Sequence, residues 1–255
     1  MDPRPAGVDW VAGDVRARAR LVVDCDPRGR SVVRELRSEV PIVLRRSRDA
    51  VYLVGGAAGP LGGDDLRLDV VVAPGARLAI RSAAASVALP GPTGARSRFE
   101  VQAEVGARAF LDWAPGPVVA TARCGHDVLS RIIADADGCV RWREELVAGR
   151  TGEEAGSVTA RLVIDVDGRP VLRHELRIGA GAPGWDGPAV LDGARAVGSL
   201  ALLGLAPAAR RAQNGTARTR VLELEHGGVL VTSVGTPASV SSALLGRVDQ
   251  AGVTL

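Results

Sequence analysis

The side chains best placed for chemistry are two carboxylates that follow a glycine-rich loop. Asp64 and Asp65 come directly after Gly62 and Gly63, a pair that lets the backbone bend sharply and approach another segment closely. The loop lacks the Gly-Lys-Ser/Thr of a Walker A motif and the GxGxxG spacing of a dinucleotide site. We expect Asp64 to point inward, where a carboxylate must be paired, hydrated or bound to a cation. The alternative is that Asp64 hydrogen-bonds the amides of its own turn.

A thiol and an imidazole form a second candidate pair. Cys124 and His126 are two residues apart and share one face if the segment is a strand. Sulfur and imidazole nitrogen are suitable ligands for nickel or zinc. A metal site would need Cys139 or His174 from a neighbouring layer. The alternative is a buried cysteine beside a surface histidine.

Two pairs of adjacent acids flank a Gly-Arg step; the residues are Glu144-Glu145, Gly149-Arg150 and Glu153-Glu154. Neighbours on a strand point to opposite faces, so one acid of each pair can face inward with Arg150 as its partner. A solvated strand end is the alternative. No Gly-x-Ser-x-Gly elbow or metalloprotease helix is present, and three histidines offer few general bases. The sequence therefore predicts a protein that is not an enzyme.

The elements that must position these residues repeat along the chain. Four strand-turn-strand segments are centred on glycines at intervals of 30 to 32 residues, namely Gly75, Gly106, Gly138 and Gly168. A fixed period of this size is typical of layered architectures, in which no unit buries its apolar face alone. Residues 20–37 also echo residues 161–177 almost position for position. We predict a mainly β protein with a layered, β-helix-like stack of strands.

The chain divides into three parts within one structural unit. Residues 1–14 are predicted to be a flexible lead-in and residues 15–180 the layered scaffold. Residues 181–255 are predicted to form an α-β-β-α tail, with helices over 188–204 and 237–250 and a hairpin between them through Gly227 and Gly228. We expect the tail to cap one end of the stack or to pack on its flank.

Composition narrows the classes of function. The 255 residues include only 3% aromatics, and 32 arginines nearly balance 29 acids, leaving a net charge of +3. Arginines are not interleaved with exposed aromatics, so nucleic-acid binding is not expected. The three cysteines form no CxxC, which favours a reducing compartment such as the cytoplasm. No secretory signal or membrane-spanning stretch is expected.

In their order, the motifs resemble the urease accessory protein D family (UreD, also called UreH). Over residues 15–205 the matching segments are Gly59-Pro60-Leu-Gly62-Gly63-Asp64, Val70 to Leu78, Phe110 to Pro117, Trp142 to Gly149-Arg150, and Asp167 to Val171. Three segments depart from the family pattern. Residues 82–87 lack the family's lysine and tyrosine, and Gly152-Glu153 follows the Gly-Arg step one or two residues early. Near the end of the last repeat, His174-Glu175 stands where the family tends to place an acid.

The resemblance implies a non-enzymatic β-scaffold with a few helices. Such proteins bind apo-urease and accessory protein F, which recruits the GTPase accessory protein G, and a homodimer within that complex is compatible. They help deliver nickel along an internal tunnel, with no tightly bound cofactor and nickel only in transit. The candidate contacts on this route are Asp64, Asp65, Glu153, Glu154 and Glu175.

The main competing hypothesis is a carbohydrate-binding or carbohydrate-acting β-solenoid. That function would require surface aromatics in a groove and paired carboxylates. Tyr52 is the one tyrosine, and the four tryptophans are scattered. The sequence therefore favours the accessory scaffold.

Overall fold

The computed structural model describes residues 14–205, 218–224 and 227–245. Two sheets face each other across a core of Val, Leu, Ile and Ala side chains. In spatial order, the strands of sheet A are β14 (Arg169–Ile178), β13 (Ser157–Val166), β11 (Gly125–Ala134), β8 (Ser97–Val105), β5 (Asp65–Val72), β1 (Arg16–Cys25) and β2 (Ser31–Arg37).

Sheet B is the wider of the two. In spatial order, its strands are β16 (Arg218–Glu223), β17 (Val229–Gly235), β15 (Ala196–Leu203), β12 (Cys139–Ala148), β9 (Phe110–Ala114), β6 (Arg77–Ser82), β4 (Val51–Gly55) and β3 (Ile42–Arg46). Two short strands, β7 (Ser86–Ala88) and β10 (Val118–Ala120), continue the sheet beside β12. One helix, α1 (Pro237–Leu245), is present among the described residues, and none there is long and apolar enough to cross a membrane.

The layered architecture predicted from the repeats is confirmed. The pairs β5–β6, β8–β9 and β11–β12 each pass from sheet A to sheet B, and equivalent strands of successive units pair in parallel. Gly75, Gly106 and Gly138 lie at these turns, and the Gly75 amide donates to the Ala107 carbonyl of the next layer over 2.9 Å. A Cβ at Gly106 would lie 2.8 Å from the backbone nitrogen of Pro74, so the close stacking of turns requires glycine there.

The fourth repeat and its upstream echo have a different role. Gly168 turns β13 back into β14 within sheet A, and β1 turns back into β2 in the same way. The two hairpins lie at opposite edges of sheet A, and each contains a register shift. The sequence echo therefore marks the two ends of the stack.

The predicted helix over residues 188–204 is wrong. Turns occupy residues 180–193, and Ala196–Leu203 forms β15, every residue of which is buried. One face of β15 contributes Ala201 and Leu203 to the core between the sheets, and the other contributes Leu200 and Leu202 to a cluster with α1. Because both faces are covered, the segment is continuously apolar and periodicity cannot separate strand from helix.

The rest of the predicted tail is largely as expected. β16 and β17 form the antiparallel pair, and α1 begins at Pro237; its predicted end at Gln250 lies outside the described residues. The lead-in before Asp14 also lies outside them. The strands of the tail continue sheet B beyond β12, and α1 packs on the outer face of that extension.

Candidate functional site

A cavity of about 530 Å³ lies between the two sheets. Apolar side chains from both sheets form most of its wall; they include Leu66, Phe99, Val101, Trp113, Val128 and Ala160. The titratable residues of the wall are His126, Glu144, Glu145 and Arg150. Because the wall is mostly apolar, the effective dielectric constant is lower than in water, and each charge interacts more strongly with other charges.

Sheet B is interrupted beside this cavity. The β9–β12 pairing ends where Trp142 meets Trp113, and pairing with β12 resumes only where Val118 meets Leu146. The β6–β9 ladder likewise stops before residues 82–85 and resumes between β7 and β10. Residues 143–145 of β12 therefore lack a ladder neighbour on this side, and Glu144 and Glu145 lie in that gap.

Glu144 points into the space between the sheets. Its Oε1 accepts hydrogen bonds from Ser130 Oγ over 2.5 Å and from the Trp142 indole Nε1 over 2.8 Å. Burial raises the pKa of the Glu144 carboxyl, and the two donors oppose that rise. No described residue donates to its Oε2, and the residue is part of the cavity wall.

Glu145 is held on the other face of β12. Its Oε2 accepts a hydrogen bond from Ser241 Oγ of α1, and its Oε1 lies 3.3 Å from Arg143 Nε outside hydrogen-bonding geometry. Burial lowers the pKa of Arg143, whose Nε and Nη1 find no hydrogen-bond partner among the described residues. This buried ion pair is therefore poorly satisfied.

The sequence indicated one inward acid at Glu144-Glu145 but predicted the wrong partner. Ser130 and Trp142, rather than Arg150, bind the inward carboxylate. The available signal was the Trp-x-Glu spacing, which puts Trp142 and Glu144 on one face of a strand. The contribution of Ser130 depends on the distance between sheets, and spacing along the chain does not encode it.

Asp64 is buried, as predicted, but its oxygens are occupied. Oδ1 accepts from the Val15 amide over 3.2 Å, and Oδ2 accepts from the Leu61 amide over 2.8 Å. Gly59 and Pro60 line the cavity, whereas Asp64 does not. Its geometry matches the alternative of a turn-stabilising carboxylate; a nickel contact at Asp64 stays a prediction.

The two neighbouring glycines explain why this loop needs its sequence. A Cβ at Gly62 would lie 2.5 Å from the Ala95 carbonyl oxygen, and one at Gly63 would lie 2.0 Å from Asp14 Oδ1. Gly63 also has a φ of +100°. The loop backbone therefore lies close to other segments at both glycines, as the sequence predicts.

Two of the predicted acids face away from the cavity. Asp65 pairs with Arg18 over 2.7 Å, and this hydrogen bond lowers the pKa of the Asp65 carboxyl. Glu175 on β14 accepts from Arg161 and Arg177, and the Arg161 hydrogen bond lowers its pKa most. Both belong to ion pairs on the outer face of sheet A, so the structure does not bring them together with Glu144.

The other two predicted acids line a surface cleft of about 840 Å³ after β12. Glu153 Oε2 accepts from the Arg150 amide over 3.0 Å, and that hydrogen bond lowers the pKa of Glu153. Arg195 Nη2 donates to the carbonyls of Arg150 and Glu153. Gly149 has a φ of +76°, and a Cβ there would lie 2.7 Å from the Glu154 carbonyl oxygen.

Cys124 and His126 are both buried, so the alternative of a surface histidine is wrong. His126 Nδ1 lies 2.9 Å from Ser97 Oγ, and burial lowers the pKa of the imidazole to about 4, which leaves it neutral. Burial raises the pKa of the Cys124 thiol. His126 lines the cavity without Cys124, and no cluster of three metal-binding side chains occurs among the described residues.

Together these features define a stacked-coil β-solenoid with a cavity between its two sheets. Comparison with known proteins gives the family: the model described as UreD urease accessory protein matches residues 15–251, and the chain belongs to this family. A urease accessory protein UreD of Parafrankia sp. is 44% identical over 215 residues, which cover 74% of this chain and 72% of the relative. Its counterpart in Streptomyces coelicolor is 43% identical over 239 residues, covering 89% and 93%.

Proposed function

We propose that this chain is a non-enzymatic maturation factor for urease. It acts as a scaffold that binds apo-urease together with accessory proteins F and G in the cytoplasm. A homodimer of the chain within that complex is compatible with this role. Family membership supports the accessory role, and three free cysteines fit a reducing compartment. Nickel is the cargo of this scaffold and no cofactor is bound tightly.

The observation that supports an internal route for nickel is the carboxylate oxygen of Glu144 that accepts no hydrogen bond, in a mostly apolar cavity. Nickel in transit needs contacts that bind and release it, so a closed set of four ligands would hold it too firmly. Of the two carboxylates in the wall, Glu145 is engaged by Ser241 and Arg143, which leaves Glu144 and the neutral imidazole of His126 as the candidate contacts. Glu144 therefore replaces Asp64 as the proposed internal contact, and Glu153 and Glu154 belong to the cleft outside.

The carbohydrate hypothesis lacks a suitable surface. Sugar-binding grooves need exposed aromatic rings, and no aromatic residue is exposed in the described part of the chain. Trp113 and Trp142 are instead stacked in the core, with ring centroids 4.6 Å apart. The observed arrangement favours a conduit over a sugar groove.

The proposal is tested by Glu144→Gln, which keeps the shape and the two hydrogen bonds but removes the charge. Urease co-expressed with this variant and accessory proteins F and G should contain less nickel and show lower activity, while the complex still co-purifies. Glu175→Gln, on the outer face of sheet A, is the matched control. Normal nickel content with Glu144→Gln would contradict the route.

A further inference from the structure

Two segments without charge lie side by side in a chain that is otherwise dense in arginines and acids. Residues 50–63 and residues 82–95 contain no Asp, Glu, His, Lys or Arg, although charged residues make up 24% of the chain. The Leu89 amide donates to the Pro60 carbonyl over 2.9 Å, and the Gly62 amide donates to the Leu89 carbonyl over 3.0 Å. These bonds join the two segments into one uncharged surface.

The cavity between the sheets opens to solvent at this surface. Residues 55–58 and 83–86 are exposed, and most of them belong to the cavity wall. Val40 lies beside them, since a Cβ at Gly56 would be 3.4 Å from its Cγ1. Val40 is 59% exposed, the highest value among the large apolar side chains of the described ranges. We call residues 55–58, residues 83–86 and Val40 the uncharged rim.

The side chains of the uncharged rim are small, whereas those inside the opening are large. Apart from Val40 and Ser86, the rim consists of Gly and Ala, so another backbone can approach it closely. Inside, the cavity wall includes Leu53, Phe99 and Trp113. A pocket of this kind suits one large apolar side chain, the type of anchor that dominates many protein interfaces.

The absence of charge limits what can bind to the uncharged rim. A charge set against it would lose its water without gaining an opposite charge. The outer face of sheet A differs, since it carries ion pairs such as Arg18–Asp65 and Arg161–Glu175. Exposed apolar surface marks interaction sites, and charged residues are depleted at the cores of protein interfaces. The rim therefore matches an uncharged, apolar occupant.

We propose that the uncharged rim is a docking surface for a partner protein. An uncharged segment of that partner lies across the Gly and Ala residues and inserts one large apolar side chain into the cavity. A small molecule held inside the cavity would leave Val40 exposed, and a second copy of the chain would bring only the short side chain of Val40 to the opening. The inference rests on the proposed function, because the partner is a member of the maturation complex.

The test places a carboxylate on the uncharged rim. Binding of the full-length chain to apo-urease, accessory protein F and accessory protein G is measured by biolayer interferometry. Ala84→Asp and Ala57→Asp should each weaken binding of the docked partner about tenfold or more, because the new charge would be desolvated. Ala84→Ser, which adds no charge, and Ala136→Asp, in the exposed turn between β11 and β12, are the controls and should bind like the native chain.

Crosslinking identifies the docked segment. In the complex, a benzophenone label on Ala84→Cys should attach to a partner peptide that is uncharged around a large apolar residue. The native chain, labelled in the same way, accounts for its three cysteines. Attachment to a charged segment or to a second copy would overturn the proposal, as would Asp variants that bind like the native chain. If the native chain binds none of the three proteins, the proposed function fails as well.

Discussion

Trp142 donates its indole N–H to Glu144, two residues further along the same strand, over 2.8 Å. The bond fixes a carboxylate against the stacked rings of Trp142 and Trp113, in the gap where sheet B lacks a ladder. It leaves the second carboxylate oxygen toward the cavity. The protonation of the Glu144 carboxyl in this buried position can be tested through the pH dependence of stability.

Glu144 should make the folded protein less stable as pH rises. Its folded pKa lies above its ordinary value of 4.5, so the folded state binds more protons than the unfolded state between these two values. The stability of the native protein relative to Glu144→Gln is expected to be greatest below pH 4.5 and to fall as pH rises through the raised pKa. Denaturant unfolding of both proteins across a pH series measures the difference, and a difference independent of pH would refute it.

His126 should act in the opposite direction. Its pKa falls from 6.5 to about 4 on folding, so the unfolded state binds more protons in that window. Relative to His126→Gln, the native protein is expected to lose about 3 kcal/mol as pH falls from 6.5 towards 4. Parallel unfolding curves at pH 7 and pH 4.5 would show it. The same difference at both values would mean that the imidazole is not buried in its neutral form.

Asp64 and Asp65 provide a comparison between adjacent carboxylates. Asp64 accepts two backbone amides in a buried turn, so Asp64→Ala should cost about 2 kcal/mol or more of unfolding free energy. Asp65 pairs with Arg18 at a partly exposed position, so Asp65→Ala should cost about 0.5 kcal/mol. Urea denaturation compares the two, and equal losses would contradict a structural role for Asp64.

The sequence predicted the stack because its signals are local. Each turn glycine, at Gly75, Gly106 and Gly138, is recognised from the residues beside it in the sequence. The order of these turns along the chain predicts the order of the layers. The strand Ala196–Leu203 is mistaken for a helix because the core between the sheets buries one of its faces and α1 covers the other. A buried apolar run carries no period that would distinguish strand from helix.

The candidate site was harder to predict for a related reason. Asp64 stands in the most unusual loop, yet its oxygens are satisfied by the Val15 and Leu61 amides, one of which is 49 residues away along the chain. Glu144 stands in an ordinary strand, and its role depends on an interruption of sheet B and on Ser130 from sheet A. Such relationships between layers appear only when the strands are placed in register.

The measurement that tests the central claim most directly is the nickel content of urease made with and without this chain. Urease subunits are co-expressed with accessory proteins F and G in nickel-supplemented cells, purified, and analysed by metal quantification per active site. We predict that urease made without the chain is largely nickel-free and inactive, and that co-expression of the chain restores both nickel and activity. Urease that is equally loaded with nickel in its absence would contradict the account.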